Sequence, residues 1–335
     1  MSPRSQRRLP LAAVLLALVS VDAIRSQSPA PPPSAPTAAP PAPAAPPAAP
    51  APPPGPVSGI RNKIAAGDLP SAESILEVHR AENGEDGAWL TGLAWLARGA
   101  LLLGETDKAQ RFASDVRARC DAAIAKGTKL EEDHALEIAL GTAIEVEAQL
   151  RERRGGPKKG AEYVRGELAK IPGPVALRSR LNKRLNMMTL AGTPAPELVI
   201  EDFAGEKPPA PAALRGKPVV LFLWAEWCGD CKAQQRALAA VRKRHPEAVY
   251  VALTRYYDDE EERAAEKDRV AEVWRTVYAD VGPMPIVIST ASMERYGGSS
   301  TPTFVFIDRG GIVRRYAPTR LTEEALEQAI AAIAR

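Results

Sequence analysis

Apolar positions along this chain recur with two different periods, and the change falls near residue 190. Through 57–190 they recur every three to four residues. Trp89, Leu93, Leu96, Ala100 and Leu103 line one helix face, and Ala109, Ala113, Val116, Cys120 and Ile124 line another. Strand-forming residues are scarce there, while Ala, Leu, Glu, Lys and Arg dominate. From Ala191 onward, short apolar runs alternate with helical stretches. The pattern predicts strands over 197–203, 217–224, 248–253 and 285–288, with helices over 231–244 and 258–278. A helical turn near Met293 follows, then a hairpin, 303–308 with 312–316, around Gly310 and Gly311. An amphipathic helix over 321–334 closes the chain. This order predicts an α/β sandwich around a mixed sheet, preceded by an all-α domain of helical hairpins.

A small motif punctuates the helical part: a glycine, four residues, then an alanine. It occurs as Gly67/Ala72, Gly104/Ala109 and Gly156/Ala161. The glycine ends one helix, and the small alanine lets the next helix pack closely. The spacing resembles the tetratricopeptide repeat, although the third copy is out of phase and Ala113 stands where that repeat has a large aromatic. The resemblance implies a protein partner on this domain; a plain helical spacer or dimerisation domain is the alternative. Cys120 lies on an apolar stripe and reads as an ordinary buried thiol, with an intermolecular disulfide as the alternative. His79 and His134 read as ordinary helix residues.

Composition divides the N-terminus from the rest. Arg4, Arg7 and Arg8 precede an apolar run over 9–21, which reads as an export signal ending near Ala23, or as an uncleaved anchor. Of the 32 prolines in 335 residues, fifteen fall between Pro29 and Pro56. Segment 24–56 is therefore read as an extended, disordered linker. The net charge of +3 offers no argument for nucleic acid. The expected organisation is 1–23 signal, 24–56 linker, 57–190 helical domain and 191–335 α/β domain, placed outside the cytoplasm.

The chemistry concentrates at Trp227-Cys228-Gly229-Asp230-Cys231, which directly follows the apolar run 219–223. A buried strand ending in a turn would set Cys231 in the first turn of a helix. Free N–H groups and the helix dipole favour an anion there, and the thiolate is the reactive form of cysteine. A redox dithiol is the preferred reading. A zinc half-site or two structural cysteines compete with it, but no second Cys/His pair completes four zinc ligands. The acidic run 258–262 reads as a helix start rather than a cation site. No metal and no bound cofactor are expected beyond a redox-active disulfide of Cys228 and Cys231.

Three stretches in order resemble the thioredoxin superfamily: 192–196, 214–232 and 300–311. The lead-in and extra helix resemble its exported thiol–disulfide oxidoreductases of the TlpA/ResA type. The resemblance covers 191–335 only. It implies an exposed nucleophile at Cys228, a buried resolving thiol at Cys231 and a docking surface that includes Trp227. It also implies a cis-proline at Pro302 that exposes the backbone of Thr301 to a substrate strand. Relatives mostly act as reductants on protein cysteines and draw electrons from a membrane donor. Three departures stand out. Phe222 and Gln234 replace the acids that accept the buried proton, and Arg236 replaces a helix proline, which implies a straighter helix. Asp230 replaces a proline, so its carboxylate is expected to disfavour the Cys228 thiolate and bias the pair toward reduction. An adaptor with a thioredoxin-like docking module, and a copper(I) metallochaperone, are the competing functions.

Overall fold

The computed structural model describes residues 55–171, 173 and 175–335. The segment expected to be an export signal, 1–23, and the proline-rich segment up to residue 54, lie outside the described residues. Helix α1 (Pro56–Ala65) already begins inside the segment expected to be linker. Proline is tolerated at a first helical position, where its missing N–H would have no partner, and burial of Pro56 and Ile60 anchors the turn.

Helix α1 pairs with α2 (Leu69–Asn83), and α3 (Gly87–Leu102) pairs with α4 (Thr106–Ala125). Helix α5 (His134–Lys170) is a third hairpin rather than one rod. Tyr163 donates to Glu147, sixteen residues away. In a straight helix that separation would be about 24 Å. The chain folds back at Gly155 and Gly156, where φ is −140° and 79°, ahead of Pro157. The three motif glycines thus each sit at a hairpin corner with positive φ, and Ala72, Ala109 and Ala161 are fully buried. Two expected face residues differ. Leu103 and Ile124 are exposed: Leu103 is the C-cap just past α3, and Ile124 sits in the last turn of α4.

One core fills these hairpins and extends to Leu177 and Leu181 of α6 (Val175–Thr189). Cys120 lies wholly inside it, and burial pushes its thiol up to about 12. A thiol reagent applied to the native, oxidised chain should therefore find no free thiol, and one after unfolding. A single reactive thiol in the native chain would contradict this burial.

The C-terminal half is a mixed sheet of six strands with helices packed against it. In chain order the strands are β1 (Asp202–Gly205), β2 (Val219–Leu223), β3 (Val249–Thr254), β4 (Pro285–Ile288), β5 (Thr303–Ile307) and β6 (Val313–Ala317). Their order across the sheet is β1-β4-β3-β2-β5-β6. Strands β2, β3 and β4 run parallel, while β1, β5 and β6 run antiparallel to their neighbours. β2 is central and buried at every position, as its unbroken apolar run predicts. The first strand is later than the expected 197–203. Side chains of the short helix α10 (Thr290–Arg295) and its cap take up the backbone and acid upstream. Ser292 Oγ accepts the Val199 N–H at 2.8 Å and donates to the Val199 carbonyl at 2.9 Å. The Glu201 carboxylate accepts the N–H groups of Thr290 and Ala291, at 3.0 and 2.9 Å.

The helix after the cysteines is also interrupted, not straightened. It splits into α7 (Gly229–Ala233) and α8 (Gln235–Arg244) at Gln234, whose N–H reaches back only three residues to the Cys231 carbonyl. The buried Gln234 side chain holds the break. Its Oε1 accepts the Leu321 N–H at 2.9 Å, and its Nε2 donates to the Leu321 carbonyl at 2.8 Å. Helix α9 (Arg263–Val277) is preceded by a single 3₁₀ turn, Glu260–Glu262. Buried Glu266 inside α9 accepts the backbone N–H groups of Tyr257 and Asp258. Helix α11 (Glu323–Ala334) covers the sheet.

Helix α6 belongs to both halves. Besides closing the helical core, it packs against α10 and β6. Arg178 Nε pairs with Glu294 at 2.8 Å, and Asn186 Nδ2 donates to the Arg295 carbonyl at 3.0 Å. Lys183 Nζ donates to Ser300 Oγ at 2.9 Å. Among the described residues, no helix is long and apolar enough to cross a membrane.

Candidate active site

Strand β2 ends at Leu223, and Trp224 and Ala225, both fully buried, carry the chain off the sheet. The chain then turns into α7 with Cys228 as its N-cap. The Cys231 N–H points back at Cys228 Sγ, 3.1 Å away, so a backbone donor already faces that sulfur. Cys228 and Cys231 are joined as a disulfide with their Cα atoms 5.3 Å apart, within the ordinary range for such bonds.

The two sulfurs differ in access. Cys231 is 0% exposed and Cys228 is 6% exposed. Cys228 is thus the outer of the two, yet far less open than the resemblance implies. The bond to Cys231 and the carbonyl of Thr301, 3.4 Å from its sulfur, cover it. That carbonyl comes from the loop before β5, where the Thr301–Pro302 peptide is cis. Pro302 itself is buried, and Thr301 is half-buried. Trp227 stands outside, 59% exposed, with its ring edge-on to Tyr257 at 5.4 Å between centroids. Cys228, Cys231, Trp227, Thr301 and Pro302 therefore gather at one end of β2 and β5.

Phe222 fills the place of an acid with an aromatic cluster. Its ring lies 5.1, 6.1 and 6.5 Å from those of Phe304, Tyr278 and Trp274. Such packing leaves no room for the water that a buried carboxylate would need. Asp230, by contrast, points into solvent, where Arg320 Nη1 approaches its Oδ1 at 3.5 Å. Both side chains are more than half exposed, so solvent screens the pair.

Three residues around the site go unassigned in the sequence reading. Glu226, two positions before Cys228, has Oε2 buried without a hydrogen-bond partner and Oε1 4.0 Å from Arg269. Its place inside the Trp-Ala-Glu-Trp-Cys run is a signal that could have singled it out. Arg320 and Lys183 carry no such signal, since they reach the site from distant parts of the chain. Among the described residues, no group of three or more His, Cys, Asp and Glu side chains converges as a metal site, and the acidic run at 258–262 does not form one.

A dithiol at a helix start, facing the loop of Thr301 and Pro302 beside the central strands, defines a thioredoxin-like domain of the thiol–disulfide oxidoreductase class. Residues 209–334 match the family model described as a thioredoxin-like domain. The chain is 26% identical over 140 residues to the thioredoxin-like protein YneN of Bacillus subtilis, covering 41% of this chain and 76% of YneN. It is 34% identical over 86 residues to the soluble secreted antigen MPT53 of Mycobacterium tuberculosis. That match covers 26% of this chain and 40% of the length of MPT53. Among solved structures it is similar to a secreted Mycobacterium tuberculosis disulfide oxidoreductase described as homologous to Escherichia coli DsbE. The identity there is 21% and the TM-score 0.32, covering 39% of this chain and 96% of that one.

Proposed function

We propose that the chain is an exported dithiol–disulfide oxidoreductase that reduces disulfides of protein substrates through Cys228 and Cys231. The observation that carries this reading is the asymmetric pair: an outer sulfur beside an available carbonyl and an inner sulfur with no exposure. In the reduced state the Cys228 thiolate attacks a substrate disulfide, and the substrate S–S bond breaks. One substrate sulfur leaves as a thiolate and takes up a proton, while the other is held in a mixed disulfide with Cys228. Deprotonated Cys231 then attacks Cys228 Sγ and expels the second substrate thiol. Two electrons pass to the substrate, and the chain's own disulfide is the oxidised product. No bound cofactor is needed for these steps. A membrane electron donor would restore the dithiol.

In this reading Trp227, Thr301 and Pro302 dock the substrate backbone, and the helical domain offers a surface to a protein partner. The N-terminal pattern, and a relative described as secreted, support a place outside the cytoplasm, with 9–21 as the signal or tether. Asp230 tunes the pair. Its carboxylate opposes a thiolate at the helix start, and its exposure together with Arg320 keeps the effect modest. Equilibration with glutathione or dithiothreitol couples tests the direction. A reductant should have a potential below about −200 mV, whereas one near −120 mV would mark an oxidant. Asp230→Pro should raise the potential by roughly 30 mV. An unchanged or more negative value would remove Asp230 from the tuning role.

A further inference from the structure

Where the helical domain meets the loop before Pro302, a pocket of about 280 Å³ opens between α5, α6 and Ser299. Its walls include His134, Glu137, Leu177, Arg180 and Lys183. Ser299 precedes Thr301 by two residues, so at most about 7 Å of chain separates the pocket from the carbonyl beside Cys228 Sγ. A substrate strand lying along Thr301 would bring a side chain two or three residues from its reactive cysteine to this pocket.

The pocket's charges are unevenly answered. Arg180 Nη2 pairs with Glu145 at 2.8 Å, and Glu137 lies 3.7 Å from His134. Lys183 has a single hydrogen bond, to Ser300 Oγ, and among the described residues no carboxylate pairs with it directly. Burial depresses its ammonium pKa, only partly offset by Glu145, and Arg180, Arg98 and Arg184 add to the depression. Around Glu145 stand four cations, Lys183, Arg180, Arg98 and Arg184, while Glu152, two turns further along α5, lies 3.8 Å from Arg184 and the wall carboxylate Glu137 faces His134. A half-desolvated, unpaired cation in an open pocket is a site that a carboxylate would complete.

We propose that this pocket is a specificity subsite for an acidic side chain of the protein substrate, with Lys183 as its counter-ion. The helical domain then supplies one wall of the substrate site, in addition to any partner surface elsewhere. Lys183 is placed for this by Ser300, which in turn is held by the Thr303 hydroxyl, donating to the Ser300 carbonyl at 2.7 Å. The proposal rests on the dithiol reading above, and its test separates the two.

The probes are two cyclic peptide disulfides, identical except for Glu or Gln two residues from the cysteine that is attacked. The full chain, reduced beforehand, is assayed with each at low and high salt, alongside an uncharged small disulfide. The wild-type chain should prefer the Glu peptide about tenfold in kcat/KM, mostly through KM, and the preference should fade in 0.5 M salt as screening grows. The ratio, measured within each variant, should fall to about one in Lys183→Met and persist in Lys183→Arg. A wild-type ratio near one overturns the subsite, and so does a tenfold ratio that survives in Lys183→Met. A wild-type chain that is inert toward the small disulfide as well brings down the dithiol reading itself.

Discussion

Replacing Cys228 with serine is expected to lower disulfide exchange by about a thousandfold or more, while Cys231→Ser stalls the same reaction with the substrate still attached. The asymmetry of the site requires the difference. The outer sulfur of Cys228 touches the Thr301 carbonyl, so a substrate disulfide laid along that backbone meets it first. A serine oxygen at this position is a poor nucleophile, because its proton is held far more tightly than a thiol proton. With Cys231 changed instead, Cys228 still attacks, but no second thiol lies behind it to expel the substrate. Non-reducing gels and mass spectrometry should then show adducts of Cys231→Ser joined through Cys228, and none from Cys228→Ser. Adducts on the Cys228→Ser variant alone would exchange the two roles.

Gly297→Ala should cost about 3 kcal/mol or more of stability and loosen α6 from the sheet. Two effects add at this position. Its φ of 68° lies in the left-handed region, which alone costs an alanine roughly 1–2 kcal/mol. A Cβ there would also stand 2.4 Å from the backbone N and Cα of Lys183, which cannot rotate away. Gly311→Ala separates the two effects, because its φ is 77° and nothing lies within 4 Å of its added Cβ. Chemical denaturation should show Gly311→Ala losing only the conformational part. Equal losses in the two variants would mean that the contact between α6 and the Gly297 turn carries no weight in solution.

Much of the α/β half is legible in the residues. The unbroken apolar run of β2 can only be a strand buried on both faces, and the Gly310-Gly311 pair between two apolar runs marks the last hairpin. The cysteine pair follows from its place after β2. What escapes is decided by side chains far apart in sequence. Residues 197–201 have strand-like composition, yet Ser292 and the cap of α10 claim their hydrogen bonds first. Gln234 looks helical, and is helical in its dihedrals, but its amide is committed to Leu321 across the core. The third hairpin, by contrast, is announced by the Gly156/Ala161 motif, although the chain turns back inside a stretch with good helical periodicity. The adjacent glycines and Pro157 mark the corner. Arg320 beside Asp230 and Lys183 beside Ser300 illustrate the general case. A charged residue 90 or more positions away leaves no trace in local pattern.

The sharing of α6 between the two halves gives the helical array a direction. Stacked hairpins are stabilised mainly by their nearest neighbours, so a hairpin gained or lost at the α1 end changes little that the dithiol can sense. The other end is fixed. Arg178, Lys183 and Asn186 hold Glu294, Ser300 and the Arg295 carbonyl, and shifting α6 by one residue would rotate all three out of reach together. Related chains should therefore vary freely in the number of N-terminal hairpins, while the last helix keeps its length and its register against the Ser300 loop.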